Sequence, residues 1–293
     1  MASYDPHSWF ALIFNNYSKA IYKQLAPAMI LLAVYTTAIV LIMEHYWTFE
    51  YKGATTIHNI LGIVLGLFLV FRTNTAYDRW WEGRKQWGAL VNCCRNLALK
   101  IDGLVGPEHQ KDRVAFARLI SNFVFAMKEH LREGVNMDEI QELEEGGLKE
   151  AMMKKGHKPM YMVDLIYKRL NRLLKDGDIT GEQMIVIDQD AQKLMNIIGA
   201  CERIRNTPIP RSYNMFIKKF IFIYSVSLPF GLITLTQYWT IPIVLIIFYL
   251  LVSTELIAEE IEDPFGRDDN DLPTDELSVK IRGNVEEALL PGK

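Results

Sequence analysis

From Phe220 to Thr254 the chain carries no Asp, Glu, Lys or Arg, a run too long and too apolar for a soluble core. A continuous helix over it would reach roughly 50 Å at about 1.5 Å per residue, well beyond a hydrocarbon core of about 30 Å. Two spans fit better, over residues 220–236 and 240–254. Pro229, Pro242 and the interfacial Gln237-Tyr238-Trp239 suggest a tight reversal between them. Charge is also missing from residues 25–43 and 53–71, which makes four expected spans. None holds an internal Asp, Glu, Lys or Arg, the usual marks of proton relays and coupled-ion sites. Together with the lack of an evident inverted repeat, this disfavours a pump or secondary transporter.

Other absences narrow the chemistry. There is no GxxxxGK[ST], GxSxG, HExxH or DFG-type set and no strand-following GxGxxG. The six histidines are scattered, so the expectation is a non-enzyme. Only three cysteines occur, Cys93, Cys94 and Cys201. They fall in the part read as cytosolic, where thiols stay reduced, and adjacent Cys93 and Cys94 are poorly placed to pair. With no CxxC and no histidine at metal spacing, no zinc site is expected from the sequence. Residues 1–24 lack a compact apolar stretch ending in a cleavage site and read as an amphipathic, surface-lying lead-in, not a signal peptide.

What is present gives orientation. A net charge of −3 and a near-zero mean hydropathy average a very apolar part with a strongly charged one. Lys19 and Lys23 precede the first span; Arg72, Arg79, Arg84 and Lys85 follow the second; Arg203, Arg205, Arg211, Lys218 and Lys219 precede the third. The two connections on the opposite side hold a single Lys. Both termini and the long middle segment are therefore expected in the cytoplasm, with the chain multi-pass in a cell inner membrane. The organisation read from composition is an N-terminal segment 1–24, spans in 25–71, a cytosolic helical domain 72–215, spans in 216–254 and a cytosolic tail 255–293. Within the middle segment, residues 113–131, 160–174 and 183–205 show three- and four-residue apolar spacing. Thr180 and Gln183 form a capping box, Asp176-Gly177-Asp178 a turn, and the Glu-rich 138–150 reads as a solvated helix face. The fold class is all-α.

On the second span, Ile63, Leu67 and Phe71 recur at i, i+4 and i+8, beside a small-xxx-small pair, Gly62 and Gly66. The stripe reads either as lipid-facing packing or as apolar rings around a pore. Four helices enclose too little space for a hydrated path, so a pore needs several copies about an axis. Immediately after comes Phe71-Arg72-Thr73-Asn74-Thr75-Ala76-Tyr77-Asp78-Arg79-Trp80-Trp81-Glu82-Gly83-Arg84. Further along stand Glu202-Arg203-Ile204-Arg205-Asn206-Thr207-Pro208-Ile209-Pro210-Arg211 and Asp263-Pro264-Phe265-Gly266. In this order, with four spans, the chain resembles the bestrophin family, in its bacterial branch.

The resemblance implies a homopentameric channel passing monovalent ions passively, chloride-type anions ahead of cations, with no cofactor required. It implies a pore neck at Ile63, Leu67 and Phe71 and a cytosolic aperture at Ile204 or Thr207. The partners expected are self, membrane lipids and the permeant ions, with no nucleic acid. Calcium-binding members carry an acidic run where this chain has Arg267-Asp268-Asp269-Asn270-Asp271. Arg267 and Asn270 weaken such a site, so a calcium clasp at Asp268 and Asp271 stands beside a solvated or salt-bridged run. An EF-hand is excluded, since a loop starting at Asp268 would put Pro273 at the glycine position and Val279 at the closing-glutamate position. Arg79, Trp80 and Trp81 read as a membrane-interface anchor. Arg72 would concentrate anions unless a neighbouring carboxylate cancels it. The rival reading is a non-conducting membrane scaffold or sensor.

Overall fold

The computed structural model describes residues 16–46 and 54–290, and every regular element among them is helical. The α-helices are α1 Asn16–His45, α2 Ala54–Leu104, α3 Gln110–His130, α4 Leu148–Met153, α5 Lys158–Asp176, α6 Gly181–Asn206, α7 Arg211–Thr236, α8 Thr240–Glu262 and α9 Thr274–Leu289. Single 3-10 turns lie at Pro107–His109, Met137–Glu139 and Gln237–Trp239. The expected all-α class is what the described residues adopt. The N-terminal lead-in falls outside them as far as residue 15, and from Asn16 the chain is already in α1. Two compact units emerge, one from the chain up to Arg79 with Pro208–Glu262, the other from Trp80–Thr207 with the chain from Asp263 on.

The first unit is apolar. Three stretches are long and apolar enough to cross a membrane: Lys23–His45, Thr55–Leu104 and Arg211–Glu262, the last comprising α7, the Gln237–Trp239 turn and α8. In that turn Gln237 adopts a positive φ of 47°, close to the reversal expected from the sequence. α1 packs on α7 and α8, and α7 on α8. Leu32, Leu228 and Val244 form one apolar seam, and Leu65 and Leu69 of α2 meet Ile217 and Ile221 of α7 in another. Gly62 lets α2 approach α7, because a methyl group there would lie 2.8 Å from the Tyr224 hydroxyl. Its expected companion Gly66 has nothing within 4 Å.

The helices outrun the uncharged runs that reveal them in the sequence. α2 continues past Phe71 to Leu104 with no proline to stop it, α7 starts at Arg211, and α8 reaches Glu262. The first unit accordingly ends at Arg79, Pro208 and Glu262, each about two helical turns beyond the limits at 71, 216 and 254 read from composition.

In the second unit α3 is almost wholly buried, with Phe116, Leu119, Ile120, Phe123, Val124 and Met127 fully inside. α5 and α9 pack against it. α5 buries Met162, Ile166, Leu170 and Leu173, one face at three- and four-residue spacing. It stops at Gly177, whose φ of 83° is the left-handed conformation that glycine takes without Cβ strain. α6 begins with the Thr180–Gln183 capping box, both of its hydrogen bonds formed. The helices expected over 113–131, 160–174 and 183–205 thus stand as α3, α5 and α6, each a few residues longer.

One expectation fails here. The Glu-rich 138–150 is not a helix face: it runs from the 3-10 turn through irregular chain into the short α4. There Gly146 and Gly147 take φ of 74° and 75°, and the Glu142 carboxylate accepts the Leu148 amide at 2.6 Å. The C-terminal segment packs as α9. Ile281, Val285 and Leu289 of α9 are fully buried in the core, and the start of α9 is held by α3. Buried Lys128 meets Glu139 at 2.7 Å and Asp275 at 2.6 Å. Arg132 meets Asp275 at 2.9 Å and donates to Phe265 O at 3.0 Å. The hydrogen-bonding Arg132 guanidinium, with Lys128, holds the Asp275 carboxyl down at about 2.

All three cysteines are buried free thiols. Burial pushes Cys93 and Cys201 up to about 12, and Cys94 well above the ordinary thiol value. Cys93 donates to Asp190 O at 3.1 Å.

Candidate functional site

On α2 the expected stripe is a real surface. Ile63, Leu67 and Phe71 are 74, 55 and 56 % exposed, while Leu65 and Leu69 are buried against α7. A helix advances 3.6 residues per turn, so Asn74 and Asp78 continue the same exposed face toward the end of the first unit. Apolar rows this exposed, which α1 also shows at Ile30, Leu31 and Val34, suit bilayer, a second copy or a dewetted passage as their surroundings.

Directly after Phe71, Arg72 points the other way and is fully buried. Its Nη2 donates to Glu262 Oε2 at 2.8 Å and its Nε lies 3.5 Å from Glu255 Oε1. Two carboxylates therefore face one guanidinium, and Arg72 offers a passing anion no unbalanced positive charge. Glu262 gathers more. Its Oε1 accepts the Ile209 amide at 2.8 Å, Oε2 lies 3.5 Å from Asn214 Nδ2, and its backbone oxygen accepts from Arg79 Nε at 3.0 Å. The last turn of α8 thereby fastens the Pro208–Pro210 segment to α2 just beyond the stripe.

The aromatic-basic motif serves the chain's own packing more than lipid anchoring. Arg79 is bound to Glu262 as described, and Trp80 Nε1 donates to Asn270 O at 2.9 Å. Of Arg79, Trp80 and Trp81, Trp81 alone is exposed, at 48 %. Gly83 leaves room for the Asp263-Pro264-Phe265-Gly266 turn, since a Cβ there would come within 3.1 Å of Pro264 and 3.2 Å of buried Phe265.

Of the two aperture residues, Ile204 is 7 % exposed and belongs to the core of the second unit, whereas Thr207, at the C-cap of α6, is exposed. Asp268 is exposed and Asp271 is buried. Asp271 Oδ2 accepts the Asp268 amide at 2.6 Å and Leu272 N donates to Pro264 O at 3.0 Å, which closes a tight loop after α8. A methyl on Gly266 would sit 2.6 Å from that same Oδ2. One carboxylate oxygen is thus already engaged by the loop's own backbone.

One grouping has no sequence signal at all: His130, His157 and Glu202, 27 and 45 residues apart, converge in the second unit. Only the packing of α3, α5 and α6 reveals it.

The whole chain also matches known proteins. A family model described as Bacterial/Fungal Bestrophin protein covers residues 1–287. The chain belongs to that family. Among bestrophin relatives, a voltage-dependent anion channel-forming protein of Synechocystis sp. is 34 % identical over 250 residues, 83 % of this chain and 80 % of the relative. A Nostoc sp. protein of the same name is 36 % identical over 231 residues, 78 % and 75 % of the two chains. One from Ralstonia nicotianae is 28 % identical over 97 % of this chain and 93 % of its own. Crystal structures of a bacterial bestrophin homologue from Klebsiella pneumoniae share the fold. A variant gives a TM-score of 0.82 at 24 % identity, covering 90 % of this chain and 98 % of that one. A second structure gives 0.81 at 24 %, covering 89 % and 97 %.

Proposed function

We infer that this bestrophin-family membrane protein is an ion channel, several copies of α2 lining a central path whose narrow part is the apolar neck of Ile63, Leu67 and Phe71. Three well-exposed apolar side chains at four-residue spacing, on the helix side opposite buried Leu65 and Leu69, carry the reading. Apolar rings of this kind gate by dewetting and carry no charge preference of their own. Relatives named voltage-dependent anion channel-forming proteins support a chloride-type anion as the permeant ion. Nothing at Arg72 supplies that preference, because its charge is met by Glu255 and Glu262.

The finer assignment is a homopentamer with four crossings per chain, two of them within Arg211–Glu262, in the inner membrane with both termini cytoplasmic. The very short Gln237–Trp239 turn between two mutually packed helices supports the paired crossings. At the cytosolic exit, the exposure of Thr207 favours it over core-packed Ile204. No cofactor enters this mechanism. Calcium at Asp268 and Asp271 stays outside it, since Asp271 serves the loop backbone.

Planar-bilayer recording of purified protein under a tenfold KCl gradient tests the reading. Unitary steps reversing near the chloride potential are expected. Reversal near the potassium potential would overturn the anion assignment, and silence from a folded oligomer would favour the scaffold or sensor.

A further inference from the structure

Three helix ends meet in the second unit, each bringing one side chain to a common point. His130 is the last residue of α3, His157 caps the start of α5, and Glu202 sits about one turn before the end of α6. His130 Nε2 lies 2.7 Å and His157 Nε2 2.9 Å from the same oxygen, Glu202 Oε1. The imidazole centroids are 4.7 Å apart. We propose that His130, His157 and Glu202 bind a divalent first-row transition-metal ion of the zinc type.

The geometry needs little adjustment. The three ligand atoms lie within 4.8 Å of one another. Tetrahedral bonds of about 2.0–2.1 Å space ligand atoms roughly 3.3 Å apart, so each imidazole–carboxylate pair opens by only about half an ångström to admit the ion. Three protein ligands leave a fourth position for water. Two imidazoles with one carboxylate select zinc-like ions over calcium or magnesium, which want oxygen ligands throughout. The three side chains are 26 to 28 % exposed, and a cavity of about 500 Å³ lined by His157, Met160, Tyr161, Asp164 and Tyr167 opens beside them. A hydrated ion therefore has a way in.

Surrounding contacts fix the ligands. Arg205 Nη1 donates to His130 O at 2.7 Å and ties the end of α3 to α6. His157 Nδ1 accepts the Met160 amide at 3.1 Å, which places its ring proton on Nε2, toward Glu202. Metal at Nε2 displaces the proton there, which moves to Nδ1, and the Met160 cap is released. This is a small loss beside a metal–imidazole bond. The site stands whether or not the chain conducts.

Full-length protein in detergent, stripped with EDTA and dialysed, is titrated with Zn2+ by calorimetry and with Co2+ by visible absorption. One ion per chain is expected, with the intense Co2+ bands of a tetrahedral site. His157→Asn keeps an acceptor for the Met160 amide, and Glu202→Gln keeps the side-chain volume. Each should weaken binding at least tenfold. His109→Ala, at a separate histidine near Glu108, Asp112 and Asp178, should leave binding unchanged. Absence of saturable binding, or binding that survives both ligand substitutions, overturns the site. A readout on the unsubstituted protein covers variants that fail to fold: Zn2+ should slow diethylpyrocarbonate modification of His130 and His157 but not of His109. Equal rates with and without zinc also overturn it.

Discussion

Replacing Arg72 by Met distinguishes a structural counter-ion from an anion attractor. The guanidinium is fully buried and faces Glu262 at 2.8 Å and Glu255 at 3.5 Å. At an effective dielectric of about 20, each close pair is worth roughly 4 kcal/mol of attraction. Its removal also leaves two buried carboxylates without their shared counter-ion. Protonation of one carboxylate limits the damage, so the expected loss is about 3–5 kcal/mol, the usual result of breaking a buried pair from one side. At about 2–4 °C per kcal/mol this is a fall of about 10 °C in unfolding temperature, read by differential scanning fluorimetry in detergent. Arg72→Lys should also destabilise, because one ammonium cannot reproduce the Nε and Nη2 contacts together.

The decisive variant adds Glu255→Gln to Arg72→Met. One positive and one negative charge leave together, and Glu262 keeps the Ile209 amide. About half of the lost stability should return, and the reversal potential in a KCl gradient should not move. If Arg72→Met kept its unfolding temperature while the double variant shifted reversal toward potassium, Arg72 would be acting on passing ions and the buried-triad account would be refuted.

Two further outcomes follow from the second unit. Asp275 is depressed to about 2 against an unfolded 3.8, so its contribution is present above pH 3.8 and lost as pH falls toward 2. Asp275→Asn should cost about 1 kcal/mol at pH 6, allowing for solvent screening of a half-exposed group, and the gap from the unsubstituted protein should narrow by pH 3 in thermal melts. Cys93 and Cys201, at about 12, are almost wholly thiol at neutral pH. Mass spectrometry should show them unalkylated by iodoacetamide at pH 7.5 in folded protein and fully alkylated in denaturant, and rapid labelling of the native state would contradict their burial.

Features encoded by neighbours in sequence were legible there. The uncharged runs marked the apolar helices, the Thr180–Gln183 box and Gly177 marked the α5–α6 junction, and the spacing of Ile63, Leu67 and Phe71 marked an exposed face. Hydropathy alone could not place the helix ends. Arg72 and Glu255 read as boundaries because each is charged, whereas with Glu262 they form a buried cluster inside the first unit. Partners 183 and 190 residues apart leave no local trace of that pairing. The same holds for His130, His157 and Glu202. The acidic 138–150 misled for a related reason: Glu142 and Glu139 are engaged by the Leu148 amide and by Lys128, contacts that a charge pattern does not reveal.

The central claim is that Ile63, Leu67 and Phe71 form the constriction of a conducting path. Single-channel recording of the unsubstituted protein beside the triple Ala variant, in symmetric KCl, tests it most directly. The account predicts discrete openings in both, with markedly larger unitary conductance once the three apolar side chains are cut back. Identical conductance in two folded proteins would mean that ions pass elsewhere, and the neck on α2 would be wrong.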